Sequence, residues 1–157
     1  MIAINPITPI EDIHLLMQTG DLWDRFTNGE HDGCEFQPSH IVATLKQEWY
    51  GIQYHADLAG ALWCELVNHD TLMLHMYIAS PYRKSVGDIV QEICVFLTWF
   101  RPEITTLMAK VPDCFPEVMR CVTKAGFRRV GYVSDNYKKY DEHHKINFYI
   151  NTDWRVC

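Results

Sequence analysis

The chain has no long apolar run, no block of one charge, no paired-cysteine motif and no internal repeat or low-complexity segment. Its hydrophobic stretches are broken by His, Glu or Gln well short of the roughly 20 residues a membrane span needs, so no membrane partner is expected. The 20 acidic and 14 basic residues are scattered and leave a formal charge of −6, which argues against an extended nucleic-acid footprint. The six cysteines, Cys34, Cys64, Cys94, Cys114, Cys121 and Cys157, show neither CxxC nor metal-ligand spacing. The start shows no secretory leader. Free thiols in a reducing, cytoplasmic compartment and no metal are therefore expected.

What is present is enough for one core. A chain of 157 residues with 48% hydrophobic content suits a single domain over residues 1–157. Met1 to Ile4 reads as a short strand. Ile10, Ile13, Leu16 and Met17 then recur at helical spacing up to Gly20. Asp21 to Gln37 is an irregular loop with turn signals at Asn28-Gly29 and Asp32-Gly33. Pro38-Ser39 opens a short second helix carrying Ile41, Val42 and Leu45.

From Glu48 to Ser80 the residues turn aromatic and β-branched, with breaks at His55 to Asp57 and Asn68 to Thr71, which predicts a three-stranded meander. Both faces of its third strand are apolar, so that strand is expected at the centre of the sheet. Val86, Ile89, Val90, Ile93, Phe96, Leu97 and Phe100 follow the 3.6-residue period of a long helix starting at Lys84. Arg101-Pro102 ends it, because proline lacks a donor and disfavours helical geometry before it. Ile104 to Val111 is the next strand, parallel to the strand before the helix. Pro116 to Lys124 is a fourth helix, stopped by Gly126. Arg128 to Val133 and Lys145 to Asn151 form a closing antiparallel pair across a polar loop.

Several residues carry alternative readings. His143-His144 beside Asp141 and Glu142 have metal-binding side chains, but neighbours on a strand point to opposite faces, and a solvated turn is the plainer reading. Trp23, Trp49, Trp63 and Trp99 read as core aromatics. Cys114 and Cys121 read as ordinary thiols. Arg128-Arg129 and Lys138-Lys139 read as solvated edge-strand charges.

The order of elements, together with Met76-Tyr77-Ile78-Ala79-Ser80-Pro81-Tyr82-Arg83, the long helix after it, Ala109-Lys110-Val111-Pro112 and Lys124-Ala125-Gly126-Phe127, resembles the GNAT superfamily of acyl-CoA N-acyltransferases. The likeness spans Glu48 to Asn151, and the start more loosely. Gly20-Asp21-Leu22-Trp23-Asp24-Arg25-Phe26-Thr27 and the Tyr82-Arg83-Lys84 turn are similar to small GNAT-like proteins of tailed bacteriophages. The resemblance implies an α/β (α+β) fold with a mixed, mostly antiparallel sheet of about seven strands flanked by about four helices. It implies acetyl-CoA as cosubstrate and a small-molecule or protein amine as acceptor. The alternative is a GNAT-fold phage protein without catalysis that serves as a virion component or binds a host protein, which would put it in the host cytoplasm or the virion.

A helix N-terminus offers main-chain donors and the positive dipole end to a pyrophosphate, so Val86, Gly87 and Asp88, with Arg83 and Lys84, are the candidate phosphate residues. The family pattern has Gly and then Gly or Ala where Val86 and Asp88 stand, and both substitutions crowd or repel an anion. The main chain of Tyr77, Ile78 and Ala79 is the candidate to polarise the thioester. Glu65 and His75 are candidate bases, each also readable as a lone structural residue of a strand. The family's acid is a tyrosine four residues before the Gly126 position, which is Val122 here. Tyr140 is the candidate acid, with Tyr137 in the same loop.

Overall fold

The computed structural model describes residues 1–6, 47–139 and 142–156. Turn chemistry cuts the aromatic stretch into strands. His55 adopts a positive φ of 59° in the turn between β2 (Gln47–Tyr54) and β3 (Asp57–Leu66). The Asn68 side-chain oxygen accepts the Asp70 N–H at 3.0 Å between β3 and β4 (Thr71–Ile78), a local bond that competes with further pairing. With β1 (Ile2–Pro6), β5 (Thr106–Pro112), β6 (Arg128–Lys139) and β7 (Glu142–Asn151) these strands form one seven-stranded sheet in the order β1-β2-β3-β4-β5-β7-β6. β4 and β5 run parallel and the other neighbours are antiparallel. The central position expected for the third meander strand is that of β4.

One face of the sheet carries the core. Tyr50, Ile52, Leu62, Cys64, Leu72, Leu107, Ala109, Val111 and Tyr149 pack there against helix α1 (Val86–Phe100), whose Ile89, Ile93, Cys94 and Leu97 are buried. Val86, Val90, Ile93 and Thr98 are β-branched and weaken helix propensity by at most about 0.7 kcal/mol each. Burying Ile89, Ile93 or Leu97 contributes roughly 1.5–3 kcal/mol apiece, so packing decides the helix. Helix α2 (Pro116–Lys124) ends at Gly126, where φ is +84°, and the Asn151 side-chain amide donates to the Ala125 carbonyl at 3.0 Å, fixing the helix end to β7.

Several sequence expectations change. The chain after β4 first forms a 3-10 turn over Ser80–Ser85, and the α-helix begins at Val86 rather than at Lys84. The polar segment after Val133 is strand, pairing Tyr137 with His144 and Lys139 with Glu142, so His143 and His144 lie within β7 and not in a turn. Trp99 is 83% exposed, whereas Trp154 is fully buried and donates its indole N–H to the Thr105 carbonyl at 3.2 Å. The two helices and the loop expected between Ile10 and Leu45 lie outside the described residues. No helix among the described residues is long and apolar enough to cross a membrane.

Candidate functional site

The site begins where a strand pair stops. β4 and β5 pair from Thr71↔Thr106 to Leu74↔Ala109 and no further, although both strands continue. Beyond that point Lys110, Val111 and Pro112 stay paired with β7. The main-chain directions say what faces the opening. The Ala79 N–H donates to the Ala59 carbonyl at 2.9 Å and the Val67 N–H to the Thr71 carbonyl at 3.0 Å. Odd-numbered residues of β4 therefore direct their main chain at β3, and Met76 and Ile78 direct theirs at the opening. The Asp113 N–H donates to the Lys145 carbonyl at 2.9 Å, so on β5 it is Lys110 and Pro112 that face β4. Pro112 has no N–H to give to β4.

This geometry sorts the candidates from the sequence. Ile78 faces the opening. Tyr77 and Ala79 do not, because alternation turns their amides to β3. Met76 shares the direction of Ile78 and was not among the expected residues; the parity of the strand was the signal that could have found it. The Ile78 carbonyl accepts a bond from Arg83 Nε at 3.2 Å, which holds the guanidinium at the end of β4. Tyr82 fixes the same turn by donating its hydroxyl to Asp57 at 3.0 Å.

The helix start is less crowded than its sequence suggests. The Val86 side chain is half-buried and packs against the core, and its N–H donates to the Arg83 carbonyl, so neither occupies the cradle as expected. A Cβ built on Gly87 meets nothing within 4 Å, so the bare backbone there borders open space. Lys84 and Asp88 are exposed. Asp88 sits in the first turn, where a carboxylate favours the helix but competes with an anion for the same dipole.

His75 and Glu65 lie on the sheet face opposite the core. His75 is opposite Trp63, and Glu65 one step along β3 is opposite Met73, a diagonal separation of roughly 7–8 Å. The imidazole stacks on Trp63 at 4.4 Å, and Trp63 on Trp49 at 5.3 Å. Burial, with the Lys110 ammonium beside it, pushes the His75 pKa down to about 4, so the ring is neutral near pH 7. Its buried Nε2 has no hydrogen-bond partner among the described residues.

Tyr140 lies outside the described residues. Tyr137, on β6, is buried against Phe115 with ring centroids 5.9 Å apart, and it lies 6.3 Å from the His144 ring. Burial raises the Tyr77 pKa, and the nearby Tyr137 phenol adds to the rise. The His144 imidazole is 3.2 Å from Asp113. Val122 is half-buried and packed on the core, without a hydroxyl.

The seven-stranded sheet with its parted central pair is a GNAT-like fold. No family model matches the chain, and no curated protein matches it in sequence. Solved structures match nearly its full length. A probable acetyltransferase from Staphylococcus epidermidis has a TM-score of 0.71 at 14% identity, with 98% of each chain covered. The ribosomal L7/L12 α-N-protein acetyltransferase RimL, in complex with coenzyme A, has a TM-score of 0.73 at 11% identity, covering 98% of this chain and 95% of that one. Spermidine N-acetyltransferase from Vibrio cholerae, in complex with CoA and spermine, has a TM-score of 0.71 at 11% identity, covering 99% and 98%.

Proposed function

We propose that this chain transfers an acetyl group from acetyl-CoA to an amine, directly and within a ternary complex. The observation that carries the reading is the end of β4–β5 pairing at Leu74↔Ala109, beside the start of α1. Met76 and Ile78 there present main-chain groups to which an extended pantetheine arm can bond as a strand would. The residues fit the cosubstrate: Gly87 leaves open backbone for the diphosphate, and Arg83 and Lys84 supply positive charge. Acetyl-CoA supplies the thioester carbon that the amine nitrogen attacks.

The roles of the chain's own groups follow. The N–H of Met76 or Ile78 is the donor available to the thioester oxygen as it gains negative charge. Neutral His75, with Glu65 its diagonal neighbour on the same face of the sheet, takes the proton from nitrogen as the C–N bond forms. The C–S bond breaks with its electrons on sulfur, and a phenol, Tyr137 of β6 or Tyr140, provides the proton for the departing thiolate. With acetyl-CoA and a set of alkyl, aryl and peptide amines, chromatography should show CoA release that falls at least about 100-fold in His75→Gln. Release no faster than the protein-free background for every amine would overturn the reading.

A second reading draws on Val122, which packs into the core where the family's tyrosine acid would stand. Under it the chain is a GNAT-fold protein without catalysis, serving a phage as a virion component or a binder of a host protein. Steady turnover lost on His75→Gln excludes it.

A further inference from the structure

β6 is the last strand of the sheet, with β7 on one side and no strand of the described residues on the other. The ladder behind it fixes which of its main-chain groups look outward. The Lys145 carbonyl accepts from the Asp113 N–H, so Lys145 is turned to β5 and the even-numbered residues of β7 are turned to β6. Their partners on β6 include Arg128, Gly131 and Val133. Tyr132, opposite Asn147, therefore points both its N–H and its carbonyl away from the sheet.

Natural edges usually carry short strands, charges or bulges that stop another strand from adding. Irregularities flank this segment, since the register shifts between Arg129 and Gly131 and again between Val133 and Tyr137. Between them the edge is open and apolar: Val130, Tyr132 and Val133 are 50%, 53% and 43% exposed. The Tyr132 ring carries two cations, the Arg129 guanidinium 5.5 Å from its centroid and the Lys145 ammonium 4.9 Å from it. Both are exposed, and neither has an ion-pair partner among the described residues. In a chain of formal charge −6 this corner is locally basic, which selects an anionic partner.

We propose that the 131–133 segment of β6 binds an extended acidic peptide as a further strand of the sheet. The peptide's main chain takes the two bonds that Tyr132 offers. A residue directly opposite Tyr132 shares its face, with Cβ atoms roughly 4.5–5.5 Å apart, so a carboxylate there reaches Arg129 and Lys145. The next residue is turned to the other face, where Val133 offers apolar surface, so the fitting sequence alternates acidic and apolar residues. A nucleic-acid strand meets the cations but lacks the N–H and C=O of a strand partner, and the net charge of the chain opposes it. This surface is independent of the transferase reading.

A fluorescein-labelled peptide alternating Glu and Val tests the site by anisotropy with the full chain. Saturable binding is expected, about fivefold or more weaker in Arg129→Glu and for the peptide with Lys in place of Glu. N-methylation of the glutamates keeps their charge and removes the N–H that bonds to the Tyr132 carbonyl, so it should abolish binding. Hydrogen exchange at the Tyr132 amide should slow when the peptide is bound. No binding, equal binding of the N-methylated peptide, a single-stranded oligonucleotide binding as tightly, or unchanged Tyr132 exchange at saturation overturns the proposal.

Discussion

His75 links stability to the site. A histidine in the unfolded chain titrates near 6.5, whereas this one is held near 4 by burial and Lys110. Above pH 6.5 both states are neutral and the group is silent. Between 6.5 and 4 the unfolded chain binds a proton the folded protein refuses, so stability falls as pH drops through that window, by up to about 3 kcal/mol. Urea denaturation at pH 7 and pH 4.5 should show this loss, and His75→Phe should reduce it by about 2 kcal/mol. The same pH dependence in both proteins would contradict the burial argument. Position on an element settled residues that composition could not. Trp99 stands about 200° around α1 from Leu97, on the solvent side, although tryptophan as a type suggests core. Trp154 follows a polar turn and shows no periodicity that would mark it as buried.

At the level of elements, local signals were legible and long-range ones were not. The breaks read at His55 to Asp57 and Asn68 to Thr71 appear one residue shorter, with Asp57 and Thr71 opening their strands, and the parallel strand after the long helix and Pro116 to Lys124 with its glycine stop appear as read. Each depends on residues within a few positions of one another. The extension of β6 to Lys139 was missed because its polar residues gain their strand geometry from pairing with Glu142 to His144 across the hairpin. The direction of Met76 and Ile78 needed only strand parity, but that parity is fixed by bonds to β3. Gly60 shows how tightly the two strands meet there: a Cβ on it would lie 2.3 Å from the Tyr77 carbonyl oxygen and 2.8 Å from Ile78 Cδ1. Gly60→Ala should therefore cost more than about 2 kcal/mol and displace the end of β4 that borders the opening. Wild-type stability in thermal denaturation would show that the strands can separate without cost.

For the whole molecule, the sheet order brings one cleft together from distant segments. β7 lies between β5 and β6 and stays paired with β5 past the point where β5 leaves β4, and α1 follows the turn after β4. Charge near that turn is mixed, with Arg83 and Lys84 on one side of the balance and Asp88 on the other. The most direct test is isothermal calorimetry with CoA. Saturable heat at one site per chain is predicted, weaker in Arg83→Glu and stronger in Asp88→Asn. No heat up to about 1 mM CoA, a limit that already corresponds to only about 4 kcal/mol of binding, would contradict the claim that the parted strands receive the cosubstrate.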